Sequence, residues 1–124
     1  MLFRSTGLDA AIHNRLITGV ATSVCKSNYK ELVSEDFVNK CIEKGVHYLW
    51  YYIFRPVGAN PSTELALSEE EILGLREFLV NIRLKAPLMI IDTYWDEKGR
   101  ALCPGAMGMS QDRKSTRLNS SHRL

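Results

Sequence analysis

"VHYLWYYIF", Val46–Phe54, is the stretch whose reading decides the fold. It is β-branched or aromatic at most positions and apolar at both parities. A strand with one face in water alternates apolar and polar residues, and this one does not. Continuous runs of this kind suit a parallel strand covered by helices. The flanks agree. Upstream, Ser34 offers an N-cap, with Glu35 and Asp36 in the electropositive first turn. A helix over Glu35–Lys44 then places Phe37, Val38, Cys41 and Ile42 on one face, and Gly45 is a natural stop. Downstream, "RPVGANPSTEL" is a loop punctuated by Pro56, Gly58 and Pro61.

The same pattern repeats on either side. "RLITGVATSV", Arg15–Val24, reads as a buried strand, with Gly19 easing a close approach. "CKSNYKEL" follows as a loop or short turn. Ser68 and Glu71 form an S-x-x-E capping box. Ile72, Leu75, Phe78, Leu79 and Ile82 then recur at helical spacing, to about Lys85 and before Pro87. "LMIIDTYW", Leu88–Trp95, is a third strand, and the glycine-rich "RALCPGAMGMS" is irregular. The order β-α-β-α-β is that of an α/β protein with parallel strands and right-handed crossovers. Such a sheet has two open edges and a thinly covered face, as a slice of a larger barrel or open sheet would.

The chain ends in "QDRKSTRLNSSHRL". By composition this is a disordered basic tail. Asp112–His122, "DRKSTRLNSSH", also resembles the conceptual translation of a sequencing-library adapter. On that reading the native frame does not end here, and the segment is set aside from fold reasoning. It carries Arg113, Lys114, Arg117 and Arg123 against Asp112. Without residues 112–124 the 16 basic residues become 12, the 14 acidic become 13, and the net charge moves from +2 to −1. No argument for nucleic-acid binding survives that change. No apolar run is long enough to span a bilayer, and "MLFRSTGLDAAIHN" has no apolar signal core. Cys25, Cys41 and Cys103 are an odd, widely spaced set, so a reducing cytoplasm is expected.

Few residues stand out as chemistry. Cys41 lies on the apolar face of its helix and reads as core. Cys25 ends the first strand, at the edge where parallel-strand enzymes place their sites. Cys103 sits in a Gly/Pro-rich loop, either as a buried small hydrophobe or as the kind of ligand that holds an iron–sulfur cluster. His13 and His47 have no partner at ligand spacing and are not read as metal ligands. Arg55, Pro56, Val57 and Gly58 form the exit of the second strand, with Asn28 in the corresponding loop after the first. Pro56 rigidifies that exit, Gly58 permits an unusual backbone angle, and Arg55 places a charge at the mouth. Asp92, late in the third strand, needs a partner.

Together these pieces resemble the later βα units of radical S-adenosylmethionine enzymes. "TSVCKSNY" is similar to a strand that ends shortly before an Asn in that family. "KGVHYLWYYIFRPVG" resembles the next strand, which runs into a Pro-Val-Gly loop. "IIDTYWDEKGRALCPGAMG" is similar to the exit from the barrel into a cysteine-bearing extension. The resemblance covers about Arg15 to Ser110 and rests on the order of the motifs rather than on any one of them. It implies a partial (β/α) barrel over residues 1–98, the start of an irregular C-terminal extension over 99–111, and the adapter-like tail over 112–124. In the intact parent it implies a 4Fe–4S cluster held by C-x3-C-x2-C. That cluster binds S-adenosylmethionine and reduces it to a 5′-deoxyadenosyl radical, with electrons from a flavodoxin or ferredoxin. Asn28 and Arg55, Pro56, Val57 and Gly58 would lie near S-adenosylmethionine, and Cys103 would match a ligand of an auxiliary cluster.

The departures fall where the chemistry would be. No C-x3-C-x2-C occurs, the first βα units are missing, and adapter-like sequence replaces the rest of the extension. The expectation is a fragment of a radical enzyme, inactive by itself and holding no cofactor alone. Its substrate is unspecified. Two other readings remain. One is a small non-catalytic α/β binding module that uses its aromatic strand as a surface. The other is a half-barrel enzyme with Asp92 as base, which lacks a paired acid or nucleophile.

Overall fold

The computed structural model describes residues 5–95, Lys98 and Ala101–Leu102. Cys103, the remainder of the extension and the 112–124 tail lie outside the described residues. The chain divides into two compact units, Met1–Asp92 and Thr93–Leu124.

The first unit is α/β. Its elements are α1 (Ser5–His13), β1 (Gly19–Val24), α2 (Tyr29–Leu32), α3 (Glu35–Glu43), β2 (Tyr48–Ile53), a 3-10 turn (Thr63–Leu65), α4 (Glu69–Arg83) and β3 (Met89–Ile91). The strands form an open parallel sheet in the order β1-β2-β3. In the second unit, β4 (Tyr94–Trp95) pairs antiparallel with β5 (Ala101–Leu102). No described helix is long and apolar enough to cross a membrane.

α3 and α4 start as their caps require. The Ser34 side chain accepts from the Phe37 amide at 3.3 Å and opens α3. Ser68 and Glu71 close a reciprocal capping box on α4. Caps of this kind stabilise by about 1 kcal/mol each. Phe37, Val38 and Cys41 of α3 and Leu75, Leu79 and Ile82 of α4 are buried. They meet Val24, Leu49, Tyr51 and Ile90 from the sheet in one core. Buried Thr22 donates to the Trp50 carbonyl at 3.2 Å, so its hydroxyl costs the core little.

Four features differ from expectation. Residues 5–13 form a helix that the sequence pattern did not announce. Arg15 and Leu16 do not extend β1; they close α1. The Leu16 amide bonds to Ala11 and the Arg15 amide to Ile12, with Arg15 at φ +57°. This is a Schellman ending with arginine where glycine is usual. The segment Leu88–Trp95 is not one strand. The ladder stops at Ile91, Asp92 turns to Arg83, and Tyr94–Trp95 pairs with Ala101–Leu102 in a stretch expected to be irregular. Finally, the described helices of the first unit cover β2 on one face only. Leu49 and Tyr51 are buried, whereas Trp50 and Tyr52 are 37% and 46% exposed. Both parities are apolar, but a single helical layer serves one of them.

Candidate functional site

The loops that follow the three strands leave the same edge of the sheet, since the strands are parallel. After β1, Asn28 closes the loop with both ends of its side chain. Its Oδ1 accepts from the Cys25 amide at 2.8 Å, and its Nδ2 donates to the Ser23 carbonyl at 3.0 Å. Asn28 therefore shapes this loop before it can contact anything else. The Lys26 amide donates to the Leu65 carbonyl at 2.9 Å, which ties this loop to the one after β2. Tyr51 fixes the next turn of chain: its hydroxyl donates to the Leu32 carbonyl at 3.0 Å, with the ring 1% exposed.

The loop after β2 begins with the Phe54 amide donating to the Val24 carbonyl at 2.9 Å. Arg55 and Val57 are exposed and Pro56 is half-buried. Gly58 has φ +107°, a conformation that costs a side-chain-bearing residue about 1–2 kcal/mol. After β3, Arg83 of α4 donates from Nη2 to Asp92 Oδ1 at 2.6 Å and from Nε to the Ile90 carbonyl at 3.1 Å. Asp92, just past the end of β3, is thus engaged by a cation, which weakens a role as base.

Cys25 is the one described thiol at this edge, and it is partly exposed. Its Sγ lies 3.1 Å from Ser27 Oγ. The Ser27 hydroxyl, with help from the Ser27 and Asn28 amides, holds the thiol below its ordinary range against the opposing effect of burial. Cys41, in the core, is pushed the other way by burial, against a smaller opposing pull from Lys44. His47 lies at the other end of β2. Its Nδ1 accepts from the Thr18 amide at 3.2 Å, a backbone pairing rather than a ligand geometry.

The face of the sheet opposite the described helices adjoins this edge. It presents Gly19, Ala21 and Ser23 from β1, Tyr48, Trp50 and Tyr52 from β2, and Met89 and Ile91 from β3. None is charged. In the paired register each small β1 residue lies beside a β2 aromatic. The Tyr48 ring lies over Gly19, in the space a Cβ would take, as the close approach expected at that glycine. Trp50 and Tyr52 stack with ring centroids 5.2 Å apart and planes within 13°. Sequence reasoning missed this ladder because all of β2 is apolar; the register with the small β1 residues would have marked its face.

The fit to the cofactors is uneven. The three cysteines do not have the spacing of a cluster loop, and the described residues hold no group of three His, Cys, Asp or Glu side chains suited to a metal. These residues do not fit a 4Fe–4S cluster. Asn28 and Arg55–Gly58 share an edge, but the Asn28 amide is spent on its own loop. Known proteins add nothing to this picture: no family model, curated protein or solved structure matches the chain.

Proposed function

We propose that this chain is a piece of a (β/α) barrel of the radical S-adenosylmethionine kind, inactive by itself. The observation that carries the barrel is the one-sided sheet. Consecutive parallel strands are neighbours, and the buried residues of β1, β2 and β3 face the helices while no described helix of this unit packs on the uncharged aromatic face. A barrel wall has this arrangement, with helices outside and side chains filling the interior. A doubly wound sheet would place helices on both faces. The radical chemistry rests on the order of the sequence motifs alone.

In the intact parent the cluster and S-adenosylmethionine would supply the radical, and this segment would supply wall and loops. Asn28 shapes the loop after β1, and Arg55–Gly58 places a charge and a tight turn at the mouth. Cys103 is a ligand candidate for an auxiliary cluster. A flavodoxin or ferredoxin would be the electron donor. The test is to amplify and sequence the source locus across both ends of the frame. An upstream C-x3-C-x2-C and further cysteines after Ser110 support the reading. Their absence from both flanks overturns it and favours the binding module, whose surface would be the exposed Trp50–Tyr52 stack. A biochemical check is anaerobic reconstitution of the chain with iron and sulfide. No 5′-deoxyadenosine is expected, and its formation would sink the inactive-fragment reading.

A further inference from the structure

We propose that the outer edge of β1 accepts one added β-strand, parallel to β1 and apolar on both faces. β1 is an edge strand: among the described residues its ladder is with β2 alone, with the outward Ser23 carbonyl already accepting from Asn28 Nδ2. Its outward peptide groups form the kind of row that recruits an extended segment. Two features on opposite faces define what that segment must carry. On the helical side, a cavity of about 320 Å³ lies between α1 and α3, against Val20 of β1. Leu8, Val20, Cys41 and Val46 line it together with Lys40, Glu43 and Lys44, and most of the lining surface is apolar. A volume of this order takes apolar side chains that the present core leaves unsupplied. On the other side, exposed Ala21 and Ser23 stand beside Trp50 and Tyr52. Their small side chains leave the aromatics open to side chains from a strand on that edge. Alternate residues of the segment would enter the cavity, and the others would meet the aromatic ladder.

Area decides between this occupant and a second copy of the chain packed face to face. Two strands of six residues and one of three, about 4.8 Å apart, present roughly 240 Å² in projection. A stable interface needs about 800 Å² from each partner. An added strand does not face that shortfall, because it gains a ladder of backbone hydrogen bonds as well. The parallel direction rests on the barrel reading; the choice of edge does not.

The test uses the whole chain and a Lys-flanked Val/Ile peptide with a nitroxide at its N-terminus. Amide exchange and paramagnetic broadening are followed by NMR. On binding, the outward amides of Gly19, Ala21 and Ser23 should exchange at least about tenfold more slowly, with those of Met89–Ile91 unchanged. Broadening should centre on Gly19, the start of β1. Leu8→Trp fills the cavity and Ala21→Lys sets a charge beside the edge; each should weaken binding about tenfold or more. Ala21 is exposed, so Ala21→Lys keeps the proposal testable if Leu8→Trp fails to fold. Protection at β3 instead of β1, no protection, broadening centred on Val24, or an affinity that both variants leave unchanged overturns the inference. The readout involves this chain alone, so its failure is distinct from the absence of a cysteine motif in the flanking frame.

Discussion

The two faces of the parallel sheet use similar residues to opposite ends. Leu49 and Tyr51 lie beneath the helices and are inaccessible, while Trp50 and Tyr52, their neighbours in sequence, remain half in water. Hydropathy does not separate them. Position relative to one helical layer does, and mutations should report that difference.

The largest contrast should come from truncation. Leu49→Ala removes a fully buried side chain and should cost about 2–5 kcal/mol, whereas Trp50→Ala on the open face should cost less than about 1 kcal/mol. Urea denaturation of both variants measures the pair; equal losses would show that the open face is covered in solution. Next is Tyr51→Phe. It leaves the Leu32 carbonyl without its donor and should cost about 1–3 kcal/mol. The same tyrosine gives a pH test. Burial, and to a lesser degree Cys41, raises the Tyr51 phenol; burial and then Glu71 raise that of Tyr29. A folded pKa above the unfolded value means that the folded state retains protons the unfolded state loses. Stability from these groups is therefore complete below about pH 10 and falls as pH rises beyond it. Tyr51→Phe should flatten that alkaline fall.

The two described thiols repeat the contrast kinetically. Cys25, beside Ser27 at the open edge, should react with iodoacetamide at least about tenfold faster than Cys41 in the core. Peptide mapping by mass spectrometry resolves the two, and Ser27→Ala should slow Cys25 alone. The smallest effect concerns the helix ends. α1 and α3 end in the same hydrogen-bond pattern, but one has Arg15 at φ +57° and the other Gly45 at φ +84°. Arg15→Gly should raise stability by up to about 1 kcal/mol in thermal melts. No gain would mean that α1 contributes little to the folded unit.

That pair of endings also explains why one helix was legible and the other was not. Gly45 marks the stop of α3 in the sequence, and Ser34 its start. Arg15 carries no such signal, and residues 15–18 read as the beginning of a strand. The capping box at Ser68 was equally plain, as was the apolar spacing from Ile72 to Ile82. At the candidate site, sequence placed Asn28 and Arg55–Gly58 in loops after parallel strands. It did not disclose that the Asn28 amide is occupied by Cys25 and Ser23, or that Asp92 answers to Arg83. Those pairings depend on loop closure and on the return of α4 beside β3.

The sequence by itself determined what local chemistry controls: caps, a glycine stop, two helical periods, and strands too apolar to face water on both sides. It also determined that no cluster loop is present. Only the tertiary structure decided which parity of β2 is buried and where the third strand stops. It alone brought Trp50 and Tyr52 together on an open face beside small β1 residues. The physical reason is that local propensity depends on near neighbours, whereas burial depends on which layer arrives on which side of the sheet.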